Sequence, residues 1–100
     1  MKLYYVTFPD RDVLDDITTG LLDDGLVACV NAFPVGSTYL WQGEEERAGE
    51  VAAFLKTSDD AADALVERLQ EEHPHDVPEI LELPATPVDA YADWVDEETG

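Results

Sequence analysis

The chain is short of cations, histidine and sulfur: five Lys plus Arg, two His, one Cys and one Met among 100 residues. Each shortage excludes something. Phosphate binding needs clustered Lys and Arg, and Lys2, Arg11, Arg47, Lys56 and Arg68 are scattered, so nucleic acid is not an expected partner. An anionic membrane surface would repel the chain for the same reason. A lone cysteine, Cys29, excludes an internal disulfide. No run of apolar residues approaches the roughly 20 needed to span a bilayer. The N-terminal "MKLYYVTFPD" is too short in its apolar part for a secretory signal and lacks a small-residue cleavage site, so the expected location is cytoplasmic.

What is abundant is negative charge. The 24 Asp plus Glu give a net charge of -19, yet 45% of residues are hydrophobic, which argues for a folded chain with a highly charged surface. Such a surface repels itself in dilute salt. At about 1 M salt the screening length shrinks to about 3 Å, so adaptation to a salt-rich cytoplasm is the expected origin of the charge; a surface that collects cations is the alternative. One hundred residues form one domain, 1–100.

Hydrophobic periodicity orders the elements. "KLYYVTF" at 2–8 is β-branched and aromatic and predicts a central strand ended by "PD". Asp10 stands where a helix N-cap belongs, with Val13, Leu14, Ile17 and Leu21 repeating at three and four and Gly25 as the stop; the helix is expected over 11–24. "LVACVNAF" at 26–33 and "STYLWQ" at 37–42 read as one long strand with a bulge or kink at "PVG". The polar "GEEERAGE" at 43–50 reads as the acidic tip of a hairpin whose return strand is "VAAFLKT", 51–57. Ser58 is the expected cap of a second helix to Glu72, with Ala61, Ala62, Leu65, Val66 and Leu69 as its apolar stripe.

Pro74 and Pro78 disfavour helical geometry in the residues before them, making 73–78 a connector into a strand at 79–84. Val88, Tyr91, Trp94 and Val95 are the apolar side of a closing helix. The order β-α-β-β-α-β plus a C-terminal helix predicts an α+β, ferredoxin-like antiparallel sheet carrying two helices on one face, with an extended hairpin. Its other face, with Tyr39 and Trp41, is too apolar to be solvated, and another subunit is expected there.

Five separated segments, "LVACVN" at 26–31, "YLWQGE" at 39–44, "FLKT" at 54–57, "HPHDVPEIL" at 73–81 and "YADWV" at 91–95, resemble the CutA divalent-cation tolerance family in order and spacing. The resemblance covers nearly the whole chain. It implies a ferredoxin-like homotrimer joined through the edge strands of extended hairpins, similar in assembly to the nitrogen regulatory P-II proteins. It further implies a cytosolic protein associated with tolerance to copper and other divalent cations, with no enzymatic activity. This chain departs from the pattern at His75, where Tyr is common, and in its acidity.

Candidate site residues follow from side-chain chemistry. His73 and His75, two apart in an extended segment, point to one side and present two imidazoles to one ion, but a specific copper or zinc site needs three or four donors. The rest would come from Cys29, from Glu72 or Asp76, or from other subunits. The structural alternative has His73 capping the helix end, His75 solvated and Cys29 packed as a small apolar residue. Tyr39, Trp41, Glu44, Lys56 and Glu79 are placed around an intersubunit cleft. There Lys56 either pairs with Glu79 across the interface or supplies charge to a pocket for a small anion or metabolite, with Trp41 as a stacking face. Tyr39 and Trp41 equally suit trimer packing. No nucleophile with its base, no glycine-rich phosphate loop and no paired catalytic carboxylates are present, and no organic cofactor is expected. The function expected is copper or other divalent-cation tolerance by a trimer; the alternative is a P-II-like signalling or scaffolding trimer that binds a small ligand in its cleft.

Overall fold

The structure, a computed structural model, describes residues 1–100. Its elements run β1 (Lys2–Phe8), α1 (Arg11–Asp23), β2 (Cys29–Trp41), β3 (Glu44–Thr57), α2 (Ala62–Glu72), β4 (Ile80–Leu83) and α3 (Asp89–Thr99). The four strands form one antiparallel sheet in the order β2-β3-β1-β4, so β1 is central and β3 separates it from β2. This is the ferredoxin-like α+β fold expected from the element order.

The sheet's two faces differ because strand side chains alternate. Tyr4, Val6 and Phe8 of β1 and Ala53 and Leu55 of β3 turn toward Leu14, Ile17 and Leu21 of α1 and Ala62, Leu65 and Leu69 of α2, and Val27 completes this buried core. Arg68 of α2 ties the helices together through Asp24, at 2.6 Å. On the opposite face Tyr5, Phe33 and Phe54 form a tilted aromatic trio, with ring centroids 5.5 to 6.5 Å apart. Neither α1 nor α2 covers it.

Local signals explain the helix ends. The Asp10 carboxylate accepts the Val13 N–H at 2.9 Å, satisfying one of the donors left open at the start of α1. Gly25 takes φ +68° after the last turn, a conformation that costs a residue with a Cβ about 1–2 kcal/mol. Ser58 acts one step earlier than expected: its Oγ accepts the Ala61 N–H, capping the turn that precedes α2, and the helix itself starts at Ala62.

Two expectations about the hairpin are corrected. No bulge interrupts β2: the register runs one to one from Cys29 opposite Lys56 to Trp41 opposite Glu44, with Pro34 opposite Val51 and Gly36 opposite Gly49. An edge strand needs no donor on its free side, so proline is tolerated there. The segment 43–50 is not a loose tip either, because β3 begins at Glu44 and the turn is only Gln42 and Gly43, with φ 52° and 82°. Positive φ at both central residues is the type I′ geometry that matches strand twist. The two arms stretch the molecule to 45 Å in its longest dimension.

The last helix buries Val95 fully, while Val88, which was expected on its apolar side, is exposed. The Tyr91 and Trp94 rings meet at a tilt on the same helix, with centroids 5.7 Å apart.

Candidate functional site

The candidate residues fall into three places. At one end of the sheet, His73 follows α2 and is buried against β1, 7% exposed. Its Nε2 lies 2.7 Å from the Thr7 carbonyl oxygen, and its Nδ1 accepts the His75 backbone N–H at 3.1 Å. A nitrogen that accepts carries no proton, so Nδ1 is the bare nitrogen and Nε2 donates to Thr7. The ring also stacks on Phe8 at 5.4 Å and 27°. Both nitrogens are therefore engaged by the protein's own backbone, and the lone pair an ion would need is occupied. His75 is exposed, its ring 5.0 Å from that of His73.

At the other end of the sheet, on the open face, Cys29 stands directly opposite Lys56, and Lys56 directly opposite Leu3 of β1. The Lys56 ammonium donates to the Asn31 side-chain oxygen and lies 3.8 Å from the Cys29 Sγ. Tyr91 of α3 joins them: burial first, and then its hydrogen bond to Cys29, raise its phenol above the usual value of 10.0. Cys29 is half-buried here, one member of a four-residue polar cluster. The expected partner of Lys56, Glu79, makes no ion pair with it; Glu79 neighbours Thr7, whose N–H its carbonyl accepts at 3.4 Å. Within the subunit β1 lies between their strands, so the expected pairing could form only between copies.

The third place is the hairpin. Trp41 faces Glu44 and Tyr39 faces Glu46 across it, and Tyr39, Leu40 and Trp41 are all exposed. Lys56 stands twelve strand steps beyond Glu44, roughly 40 Å, so one chain cannot gather Tyr39, Trp41, Glu44 and Lys56 into one cleft. Cys29 and His73 are likewise at opposite ends of β1, roughly 15 Å apart along the strand. No group of three or more His, Cys, Asp or Glu side chains converges within the subunit.

Asn31 and Tyr91 are the residues that sequence reasoning passed over. A two-residue period from Cys29 places Asn31 on the same face, which was a readable signal; the approach of Tyr91 from α3 was not.

The fold and its bare face define the class: a ferredoxin-like sheet with two helices on one side and an unpaired apolar surface continued by a long hairpin. Residues 2–98 match the family of CutA1 divalent ion tolerance proteins, and the protein belongs to that family. A divalent-cation tolerance protein CutA of Pyrococcus horikoshii is 39% identical over 100 residues, covering 99% of this chain and 98% of that one. A PII-like protein CutA from a Nostoc species superposes with a TM-score of 0.94 at 32% identity, covering 100% of this chain and 98% of the other. A periplasmic divalent cation tolerance protein CutA from Archaeoglobus fulgidus superposes equally well, with a TM-score of 0.94 at 30% identity over 99% and 98% of the two chains.

That last comparison corrects the cytoplasmic expectation. A protein of the same fold and family is described as periplasmic, so neither the fold nor the family places this chain in the cytoplasm. No helix of the chain is long and apolar enough to cross a membrane.

Proposed function

We propose that the protein acts in divalent-cation tolerance as a homotrimer, copper being the first cation to test, in a salt-rich compartment. The observation that carries the assembly is the bare sheet face. Tyr5, Phe33 and Phe54 lie on it, and the exposed Tyr39, Leu40 and Trp41 extend from it on a two-stranded arm. A two-stranded arm with no core of its own is marginal alone, and packing against a second sheet supplies what it lacks. Cation ligands then come from more than one subunit. Of the three candidates, Cys29 and His75 keep a donor atom available, and because they sit at opposite ends of the sheet a shared ion needs a neighbouring copy. The dense carboxylate surface supplies further oxygen donors and, at high salt, solubility.

Sedimentation in 1 M KCl tests the assembly, and copper(II) calorimetry on the same sample tests the binding. Three subunits per particle and a saturable whole-number copper ratio that falls in Cys29→Ala or His75→Ala are expected. A monomer, or heat that never saturates, would refute the reading. Tyr39→Ser combined with Trp41→Ser is expected to shift the particle toward monomer.

A second reading is favoured by the cluster at Lys56: a P-II-like trimer that binds a small ligand at the seam between subunits. The Nostoc relative is described as PII-like. Stabilisation by a small molecule that depends on Lys56 is the expected sign of it.

A further inference from the structure

The chain contains one Asp-Gly pair, Asp24 and Gly25, and no Asn-Gly. Such a pair is chemically weak. Glycine has no side chain to hinder its nitrogen, so the Gly25 nitrogen can close on the side-chain carboxyl carbon of Asp24. A new N–C bond forms, one carboxyl oxygen leaves as water with the amide proton and the acid proton, and a five-membered imide results. Water then opens the ring at the main-chain carbonyl. The product is an isoaspartyl link, in which the chain runs through the former side chain and is one methylene longer. Gly25 is not freely exchanged for another residue, because it takes φ +68° as the residue that ends α1. The fold therefore retains the weak pair, and its surroundings decide how often it reacts.

Both reacting groups are held. The Gly25 N–H donates to the Leu22 carbonyl at 3.2 Å and the Leu26 N–H to the Leu21 carbonyl at 2.9 Å, the paired bonds of a Schellman helix end. One Asp24 carboxylate oxygen accepts from the Arg68 guanidinium at 2.6 Å, and Arg68 is itself fixed by Glu72 at 3.1 Å. We propose that Arg68 protects the Asp24–Gly25 peptide from isoaspartate formation, which makes this peptide an ageing site exposed only when the end of α1 opens. Attack requires the carboxyl to leave Arg68 and the Gly25 nitrogen to leave Leu22 in one opening event. Helix ends open locally at low cost, so a short charge-assisted bond there governs much of the rate. The Leu26 carbonyl accepts the Thr57 hydroxyl at 2.9 Å. An added methylene before Gly25 would draw Leu26 away from both Leu21 and Thr57 and loosen the entry into β2.

The test is ageing of the intact protein in molar KCl at neutral pH. Isoaspartate is counted by labelled methyl transfer from S-adenosylmethionine with an isoaspartyl methyltransferase and placed by peptide mapping around Asp24. The same chain held unfolded in urea is the unprotected reference. The parent is expected to gain isoaspartate at Asp24 at least about tenfold more slowly than the unfolded chain. Arg68→Gln should age about two- to fivefold faster than the parent, with Arg68→Lys between them. Arg11→Gln removes a different ion pair of α1, that with Asp15, and leaves Asp24 held; it is expected to age at the parental rate. Equal ageing of the parent and Arg68→Gln would overturn the protective role. A rise in Arg11→Gln as large as in Arg68→Gln would overturn it as well, because general loosening of the helix would then suffice. So would an absence of methyl uptake in urea, since the pair would be inert without protection.

Discussion

Replacing His73 with alanine separates a structural histidine from a metal ligand. Three interactions disappear in the variant. The Nε2–H bond to the Thr7 carbonyl and the bond from the His75 N–H to Nδ1 contribute about 1 kcal/mol each, and the stack on Phe8 about 0.5–1.5 kcal/mol more. The expected loss is therefore about 2–4 kcal/mol, or about 10–20 °C in the melting temperature of a chain this size. The assay is guanidinium unfolding at a fixed protomer concentration, since assembly makes stability depend on concentration. The unfolding is run with and without a chelator. His75→Ala is the companion variant. It keeps the backbone N–H that Nδ1 accepts, so its stability is expected to stay within about 0.5 kcal/mol of the parent.

Copper stoichiometry is measured on the same samples, below their unfolding midpoints. His73→Ala is expected to leave it unchanged, because neither ring nitrogen has a lone pair free for an ion. A His73→Ala protein as stable as the parent that loses one copper per subunit would refute the argument.

Two glycines should respond with opposite signs. Gly25→Ala forces a Cβ into φ +68° and is expected to cost about 1–2 kcal/mol, whereas Gly20→Ala, inside α1 where the new methyl meets Arg68 at an ordinary 3.6 Å, is expected to stabilise by about 0.5–1 kcal/mol. Urea midpoints of the two variants check this. Alkaline pH is expected to weaken the fold through Tyr4, whose phenol is raised above 10.0 by burial first and by the Glu82 carboxylate next. Above about pH 10 the unfolded chain releases that proton while the folded one still holds it, so stability is full below that pH and falls as pH rises through the folded value. Tyr4→Phe should flatten the fall above about pH 10 in chemical unfolding. Raising KCl from about 0.1 to 1 M shortens the screening length from about 10 to 3 Å and is expected to raise the melting temperature; a flat response would mean that the net charge of -19 costs the folded state nothing.

The residues that announced the fold are those whose local chemistry agrees with their packing. Asp10 and Gly25 bracket α1 as their capping chemistry requires, and Tyr4, Val6 and Phe8 alternate because one face of β1 meets the helices. Where local chemistry and packing diverge, the reading failed. The stretch 43–50 lacks the apolar alternation that marks a half-buried strand, because the arm it belongs to has no core beneath it, and its strand character comes from one-to-one pairing with β2. Pro34 suggested a bulge because a central strand would need one; β2 is an edge, and there the missing donor costs no ladder bond.

The site was legible in its parts and not in its grouping. Spacing placed His73 and His75 side by side, yet it could not show that the chain turns so that the His75 N–H occupies the His73 lone pair. Lys56 and Glu79 were matched as opposite charges across a subunit interface; within one subunit the strand order β2-β3-β1-β4 keeps them apart, so that pairing would have to run between copies. What remains is a subunit whose available donors are spread out: Cys29 and Lys56 at one end of the sheet, His75 at the other, Tyr39 and Trp41 along the arm. A soft-metal ion demands three or four donors within bonding distance. A single subunit of this geometry meets that requirement only when another copy brings its own donors alongside. Cation binding should therefore depend on assembly.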